Sequence, residues 1–285
     1  MKVVLPEEKT FNKRQIAIYV TIVIVCIISI IIAFYAQFYG RIDMGRLLGV
    51  ESESALGNKN EEQVELLKTE FDQIFTNSIE NGEGQESKKK ESDKPLIYTK
   101  IEKKESKLNS YDVEVHIPYI NIDNEKVDEY NKEIEDFVDK TNNILESQNK
   151  NTIYTVEYVA NVQNDILSLM IRSNLKEGSS AQRVIIQTYN YDLRNNKEIT
   201  LEEVLKIENI NQSELQEKIK NEIGIEQKKV EDLKNLGYNI YSRDVTSNIY
   251  NIENSREFYL TSDTLYIVYA YGNESFTSEM DLIVL

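Results

Sequence analysis

Histidine and cysteine, the two residue types that most often carry catalysis, occur once each in this chain, as His116 and Cys26. One cysteine can neither close an internal disulfide nor build a thiolate metal site. One histidine cannot form a two-histidine zinc site or serve as both members of most acid/base pairs. Acids are the plentiful chemistry. Among 49 Asp and Glu residues, Glu133, Glu135 and Asp136, or Glu202 and Glu203, could supply the carboxylate pair of a glycosidase. So many acids make pairs by chance, however, and a solvated helix face is the expected setting for these. Asp123, Asn124 and Glu125 offer three oxygen ligands in a row but lack the Gly and terminal Glu of a calcium loop, so capping of the next helix is their expected role. Stacking is a third option. Tyr154, Tyr158, Tyr189, Tyr191, Tyr266, Tyr269 and Tyr271 lie in strand-like runs, where tyrosine can meet a sugar face but also simply packs a sheet. His116, just ahead of Pro118, reads as a structural strand residue. These residues assign no catalytic, cofactor-binding or metal site, and no enzyme activity is expected.

Charge narrows the partners. Lys and Arg number 33 against the 49 acids, a formal charge of -16. Such a chain is poorly suited to a polyphosphate backbone, which argues against nucleic acid. The same field speeds encounter with cations and repels anionic wall polymers.

The elements that hold these residues begin with an apolar run. Residues 15–40 are 26 positions without a charge, dominated by Ile and Val. As a helix this run extends roughly 39 Å, enough to cross a hydrocarbon core of about 30 Å with some tilt. Ile16, Val20, Ile24, Ile28 and Ile32 are its expected anchor residues. A cleaved signal peptide would have a shorter apolar region and an Ala-x-Ala-like site, and Ala33 and Ala36 are spaced wrongly for one. Cys26 sits mid-span behind Val25, a poor place for a lipid anchor. Lys2, Lys9, Lys13 and Arg14 precede the span, which predicts a cytoplasmic tail over 1–14 and an extracellular remainder. The tail carries +2, so the outer portion carries -18.

Over 41–94 a stalk helix and polar linker are expected. Val64, Leu67, Phe71, Ile74, Phe75 and Ile79 recur at helical spacing and predict an amphipathic helix that covers its stripe on the domain, although dimerisation or a place near the membrane would also use it. Residues 80–94 lack large apolar side chains and include Lys88, Lys89 and Lys90, as a solvated linker would. The remainder, 95–285, has no cysteine and must be stabilised by burial alone. Strands are expected over 111–120, with Pro118 ending the strand or marking an edge, and over 154–162, 166–175 and 183–193. Between the first and second strands, Val127, Tyr130, Ile134, Phe137, Val138, Thr141 and Leu145 predict a long helix. The later breaks are too short for crossovers and favour an antiparallel meander. Thr200 with Glu203, and Ser213 with Gln216, have capping-box spacing and predict two helix starts. Strand patterning returns over 256–260, 264–271 and 280–285. Strands, helices and strands in that order give an α+β domain, an antiparallel sheet with packed helices, preceded by the membrane helix and stalk helix.

Particular stretches carry a resemblance: His116–Ile120 with Asn131 and Ile134 in the following helix, Ser168–Ile171, Tyr189–Leu193 with Ile199–Leu201, and Phe258–Thr261 with Tyr266–Val268. Over roughly 98–285 the chain resembles the extracellular domain shared by anti-sigma-V factors and peptidoglycan-deacetylase-associated modules, a domain of unknown function in the latter. The resemblance implies an extracytoplasmic module at a Gram-positive-type envelope, with lysozyme as the ligand in the anti-sigma-V case. The 14-residue tail is far short of what would clasp a sigma factor, and the metal-binding catalytic domain of a deacetylase is missing. The expected function is therefore a single-pass, membrane-anchored envelope protein. Its outer domain would bind a cationic, lysozyme-like protein or a cell-wall glycan, without a cofactor. The alternatives are a structural or assembly partner of a membrane complex, or a wall-modifying enzyme.

Overall fold

The structure is a computed structural model that describes residues 59–80, 89–147 and 151–285. In chain order its regular elements are α1 (Glu61–Glu70), β1 (Ser78–Ile79), β2 (Ile97–Lys107), β3 (Tyr111–Ile120), α2 (Glu125–Glu146), β4 (Thr152–Gln163), β5 (Ile166–Glu177), β6 (Arg183–Asp192), β7 (Lys197–Glu198), α3 (Leu201–Ile207), α4 (Gln212–Asn235), β8 (Phe258–Leu260), β9 (Leu265–Ala270) and β10 (Met280–Val284). The anchor residues Ile16, Val20, Ile24, Ile28 and Ile32 lie outside the described residues, as does Cys26. Among the described residues no helix is long and apolar enough to cross a membrane.

Strand β3 shows how the large sheet is made. Val113, Val115 and Ile117 are fully buried, while Asp112 and Glu114, which alternate with them, are exposed. That is the period-two pattern of a strand with one wet face. A hairpin joins β3 to β2 through Asn109, which adopts the left-handed conformation that asparagine tolerates. From β3 the chain crosses through α2 and returns as β4, parallel to β3 from Tyr111↔Thr152 to Val115↔Val156. The large sheet is thus mixed rather than purely antiparallel. A 22-residue helix is long enough to be a crossover, but helical periodicity alone does not say whether the next strand returns parallel.

Past Val115, β3 leaves β4, and β1 takes its place in parallel, with Ser78 opposite Val159 and Ile79 opposite Ala160. Pro118, which has no N–H to donate, falls in this unladdered stretch. The strand runs on to Ile120, paired to β2 alone, so Pro118 marks a local edge and does not end the strand. The far side of β4 follows expectation. Strands β4, β5 and β6 form the antiparallel meander, and the first turn is the pair Asn164-Asp165, both with positive φ, as in a type I′ hairpin.

The expected stalk helix over 64–79 breaks in two. It stops at Glu70 and gives way to a 3₁₀ turn, and the chain then hooks onto the sheet at Asn77. Asn77 has φ 53°, donates its N–H to the Tyr158 carbonyl (2.8 Å) and accepts the Tyr158 N–H on Oδ1 (3.0 Å). The apolar stripe is nonetheless buried on the folded body. Val64, Phe71 and Phe75 pack with Met170, Val184, Tyr259 and Tyr266.

Three apolar layers result. One face of the large sheet packs against α2, whose buried stripe is Val127, Tyr130, Asn131, Ile134, Phe137, Thr141 and Ile144. Val138 and Leu145, also expected on this face, pack against the layer partly buried, and Ile144 joins the buried stripe. The opposite face packs on α1 and on a second, three-stranded sheet ordered β10-β9-β8. Helices α3 and α4 cover the outer side of that small sheet with Leu201, Leu205, Leu215, Ile219 and Ile223. Strand β9 lies between the two packed faces, so all six of its residues are buried.

Capping is local and specific. Thr200 begins α3 with the expected capping box, and Asn124 caps α2 through the Lys126 N–H. The start of α4 is different. Asn211, not Ser213, is the cap and accepts from the Ser213 and Glu214 N–H groups, because an Asn side chain reaches the N2 and N3 donors as well as a hydroxyl does.

The two sheets are stitched together by a polar ladder. Ser168 Oγ donates to Asn190 Oδ1 (2.6 Å) and accepts the Leu260 N–H (3.1 Å). Asn190 and Asn161 donate to the carbonyls of Phe258 and Leu260. These buried side chains thereby satisfy backbone groups of β8 that face away from its ladder with β9.

Candidate functional site

A cleft of about 470 Å³ opens where α2, β6, β7, the start of α3 and the 252–258 segment meet. Helix α2 presents Glu133 and Lys126 to it, α3 presents Glu202, and β7 presents Glu198. Glu253 and Glu257 come from the chain approaching β8, so five carboxylates face two cations, Lys126 and Arg256. One of those cations is already engaged: Lys126 pairs with Glu198 (3.3 Å) and Glu129 (3.2 Å) and lies over the Tyr130 ring.

Glu257 is the unusual acid. Its Oε2 accepts the Thr188 N–H (2.7 Å). Strand β6 pairs with β7 only at Tyr191 and Asp192, so most of this edge lacks a strand partner. Three of its N–H groups are capped instead, Val184 by the Thr277 carbonyl, Ile186 by Asn273 Oδ1 and Thr188 by Glu257. Glu257 keeps some exposed surface, but its carboxyl group is set within dense protein. That desolvation pushes its pKa up to about 7, although the Thr188 hydrogen bonds and nearby Arg256 favour the ionised form. Glu133 adds to the upward shift from across the cleft.

Two tyrosines form the cleft's inner wall, Tyr130 and Tyr189, with ring centres 5.0 Å apart. The Tyr189 hydroxyl is buried without a partner at hydrogen-bonding geometry. Burial, then the Glu133 and Glu257 carboxylates, push its pKa upward, which puts that hydroxyl electrostatically between the two acids.

Of the residues singled out in the sequence, this cleft brings together Glu133, Glu202 and Tyr189. Glu135 is drawn off by Lys100 (3.4 Å), and Glu203 is occupied by the Thr200 cap and Lys197. Asp136 is exposed outside the cleft. Tyr154, Tyr158 and Tyr191 belong to the core beneath α2, Tyr266 lies between the sheets, and Tyr269 bonds to Ser255. His116 is half-buried opposite Glu102 in the β2–β3 ladder. Asp123 and Glu125 flank the Asn124 cap, and no group of three potential ligands able to hold a metal occurs among the described residues. Glu198, Glu253 and Glu257 were not anticipated. Nothing in sequence distinguishes them from the other acids, because their special position is created by tertiary contact.

A second, larger cleft of about 810 Å³ lies between α1, α4 and β10. Its buried charges are paired. Arg243 Nε and Nη2 grip both oxygens of Asp281 (2.5 and 2.7 Å), Tyr271 donates to Asp281 (2.5 Å), and the Tyr250 hydroxyl meets that of Tyr271 (2.7 Å). Burial opposes the Arg243 charge, but Asp281 outweighs it and the guanidinium pKa is raised. Lys68 and Lys218 share Glu222 (2.7 and 3.9 Å), and Lys218 also donates to the Val284 carbonyl.

Together these features define a layered α+β module with one cleft whose buried charges are paired and one whose buried carboxyl lacks a cation of its own. No family model matches the chain, and no curated protein matches it. Among solved structures it is similar to proteins of the DUF3298 family. A member from Bacteroides fragilis NCTC 9343 is 14% identical, covering 61% of this chain and 80% of that one at a TM-score of 0.35. Another, from Pseudomonas aeruginosa PAO1, is also 14% identical, covering 67% and 90% at a TM-score of 0.40. Likeness at this level carries no argument about activity.

Proposed function

We propose that this protein is a single-pass, membrane-anchored module whose extracellular body binds a cationic protein, with a lysozyme-like partner as the specific form. The observation that carries the reading is the acidic cleft, where five carboxylates meet two cations and one of those cations is spent on Glu198 and Glu129. The -18 charge beyond the expected span extends the same preference over the surface and steers a cationic partner inward. Anchoring follows from the uncharged 15–40 run and the basic residues before it, with the tail cytoplasmic. The resemblance to the anti-sigma-V outer domain supports lysozyme as the partner.

The test is direct. Full-length chain in detergent micelles is immobilised and exposed to lysozyme at physiological salt. Retention that survives a wash at that salt is expected, and passage of lysozyme without retention overturns the specific reading.

One observation favours a second reading. A carboxyl near neutrality facing another carboxylate is also the arrangement of a glycoside hydrolase. Zymography on cell-wall substrate separates the two: clearing lost in both Glu257→Gln and Glu133→Gln would replace binding with hydrolysis.

A further inference from the structure

We infer that the cleft between α2, β6 and the 252–258 segment seats one cationic side chain of the partner, a lysine ammonium or arginine guanidinium. Glu257 and Glu133 are its counter-charges, and the Tyr189 hydroxyl is its neutral acceptor. The inference rests on the cation-binding reading above and adds where the cation goes and what controls it. Three observations meet here. The acids outnumber the cations on the walls. The Tyr189 hydroxyl is buried beside the Glu133 carboxylate with no partner at hydrogen-bonding geometry, an oxygen that an incoming N–H donor would satisfy. The cleft already holds one cation beside its acids, Lys126, over the Tyr130 ring at 5.1 Å from its centre.

The cleft also couples binding to protons. Glu257 is faced by Glu133 and Lys126 of α2, Glu198 of β7, Glu202 of α3, Tyr189 of β6, and its neighbours Glu253 and Arg256. Lys126 is shared with Glu198 and Glu129, so Arg256 is the nearby cation acting to ionise Glu257, and it does not overcome desolvation. Below neutrality Glu257 is mostly protonated and the seat holds one negative charge fewer. A bound cation replaces the missing counter-charge, so binding expels the proton and strengthens as pH rises. If only the ionised form binds, a group titrating near 7 gives about a tenfold rise in affinity between pH 6 and pH 8.

The test uses the full-length chain in detergent micelles and a tetralysine peptide as probe, titrated calorimetrically in steps across the range that includes pH 6 and pH 8. Wild type and Asp232→Asn, an exposed charge change on α4 away from the cleft, are expected to show the tenfold rise. Glu257→Gln keeps an acceptor for the Thr188 N–H but cannot ionise, and its affinity should change by less than about twofold. Glu133→Gln, which removes a charge that raises Glu257, should move the midpoint of the rise to lower pH. Tetralysine that does not bind, a tenfold rise that persists in Glu257→Gln, or an unmoved midpoint in Glu133→Gln each overturns the inference. Lysozyme retention is scored separately. Its absence alongside pH-dependent tetralysine binding removes the lysozyme reading and leaves the cation seat standing. Retention with equal strength at both pH values and in Glu257→Gln removes the seat and leaves the reading.

Discussion

The two clefts are lined by the same kinds of residue and do opposite things with them. Around Arg243 each buried charge meets its opposite: Asp281 takes two guanidinium donors and the Tyr271 hydroxyl, and Glu222 serves Lys68 and Lys218. Acids outnumber cations in both linings, but around Glu257 the buried carboxyl is held by a backbone N–H rather than by a cation of its own. Neutralised charge becomes architecture, because removing either partner strands the other in a low-dielectric setting. Unmatched acid leaves a demand for positive charge that a ligand can meet.

That contrast is most easily broken at Asp281. Asp281→Ala removes both close guanidinium contacts and leaves buried Arg243 only the longer pair to Glu279 (3.8 Å), which should cost about 3 kcal/mol, roughly a 10 °C fall in melting temperature for a body of this size. Urea or thermal unfolding measures it, and a change below about 1 kcal/mol would mean that the pair is not structural.

The acidic cleft predicts the opposite sign. Glu257 is raised in the folded state above the ordinary carboxylate value of 4.5. The stability tied to its protonated form is therefore complete below pH 4.5 and is lost as pH rises through about 7. Glu257→Gln should accordingly stabilise by about 2 kcal/mol at pH 8 and by much less at pH 5. Unfolding curves at the two pH values check this, and a loss of stability at pH 8 would make Glu257 an edge cap that needs its charge.

A smaller effect sharpens the comparison within the matched cleft. Tyr271→Phe removes one donor to Asp281 while leaving the Arg243 pair, and a cost of about 1.5 kcal/mol is expected. Smallest is Lys126→Ala. Its pairs are exposed, so stability should move by less than about 0.5 kcal/mol. The cleft would nonetheless lose a cation, and tetralysine should bind more tightly, which calorimetry reads directly.

Much of the architecture was legible because burial imposes periodicity. The meander β4–β6 and helix α2 follow from patterns that only one secondary structure can satisfy with its apolar residues inside. Strand β2 lacks such a pattern for the converse reason. It is an edge strand whose Lys100, Lys104 and Lys107 are exposed, and those charges, which protect an edge from pairing, also hide the strand pattern. The parallel step from β3 to β4 and the two-residue strand β1 depend on contacts across the fold, which local sequence does not encode. The candidate site shows the same limit. Glu133, Glu202 and Tyr189 were recognised by type. Glu257 was not, since its near-neutral pKa comes from desolvation against β6 and α2, elements more than 60 residues away in the chain.

The most direct test of an unmatched acidic cleft is the titration of Glu257 itself, followed by NMR of chain labelled with carboxyl-¹³C glutamate. One carboxyl should titrate near 7, vanish from the spectrum of Glu257→Gln, and move to lower pH when tetralysine saturates the protein. A wild-type chain in which every glutamate titrates below about 5 would contradict the cleft's role.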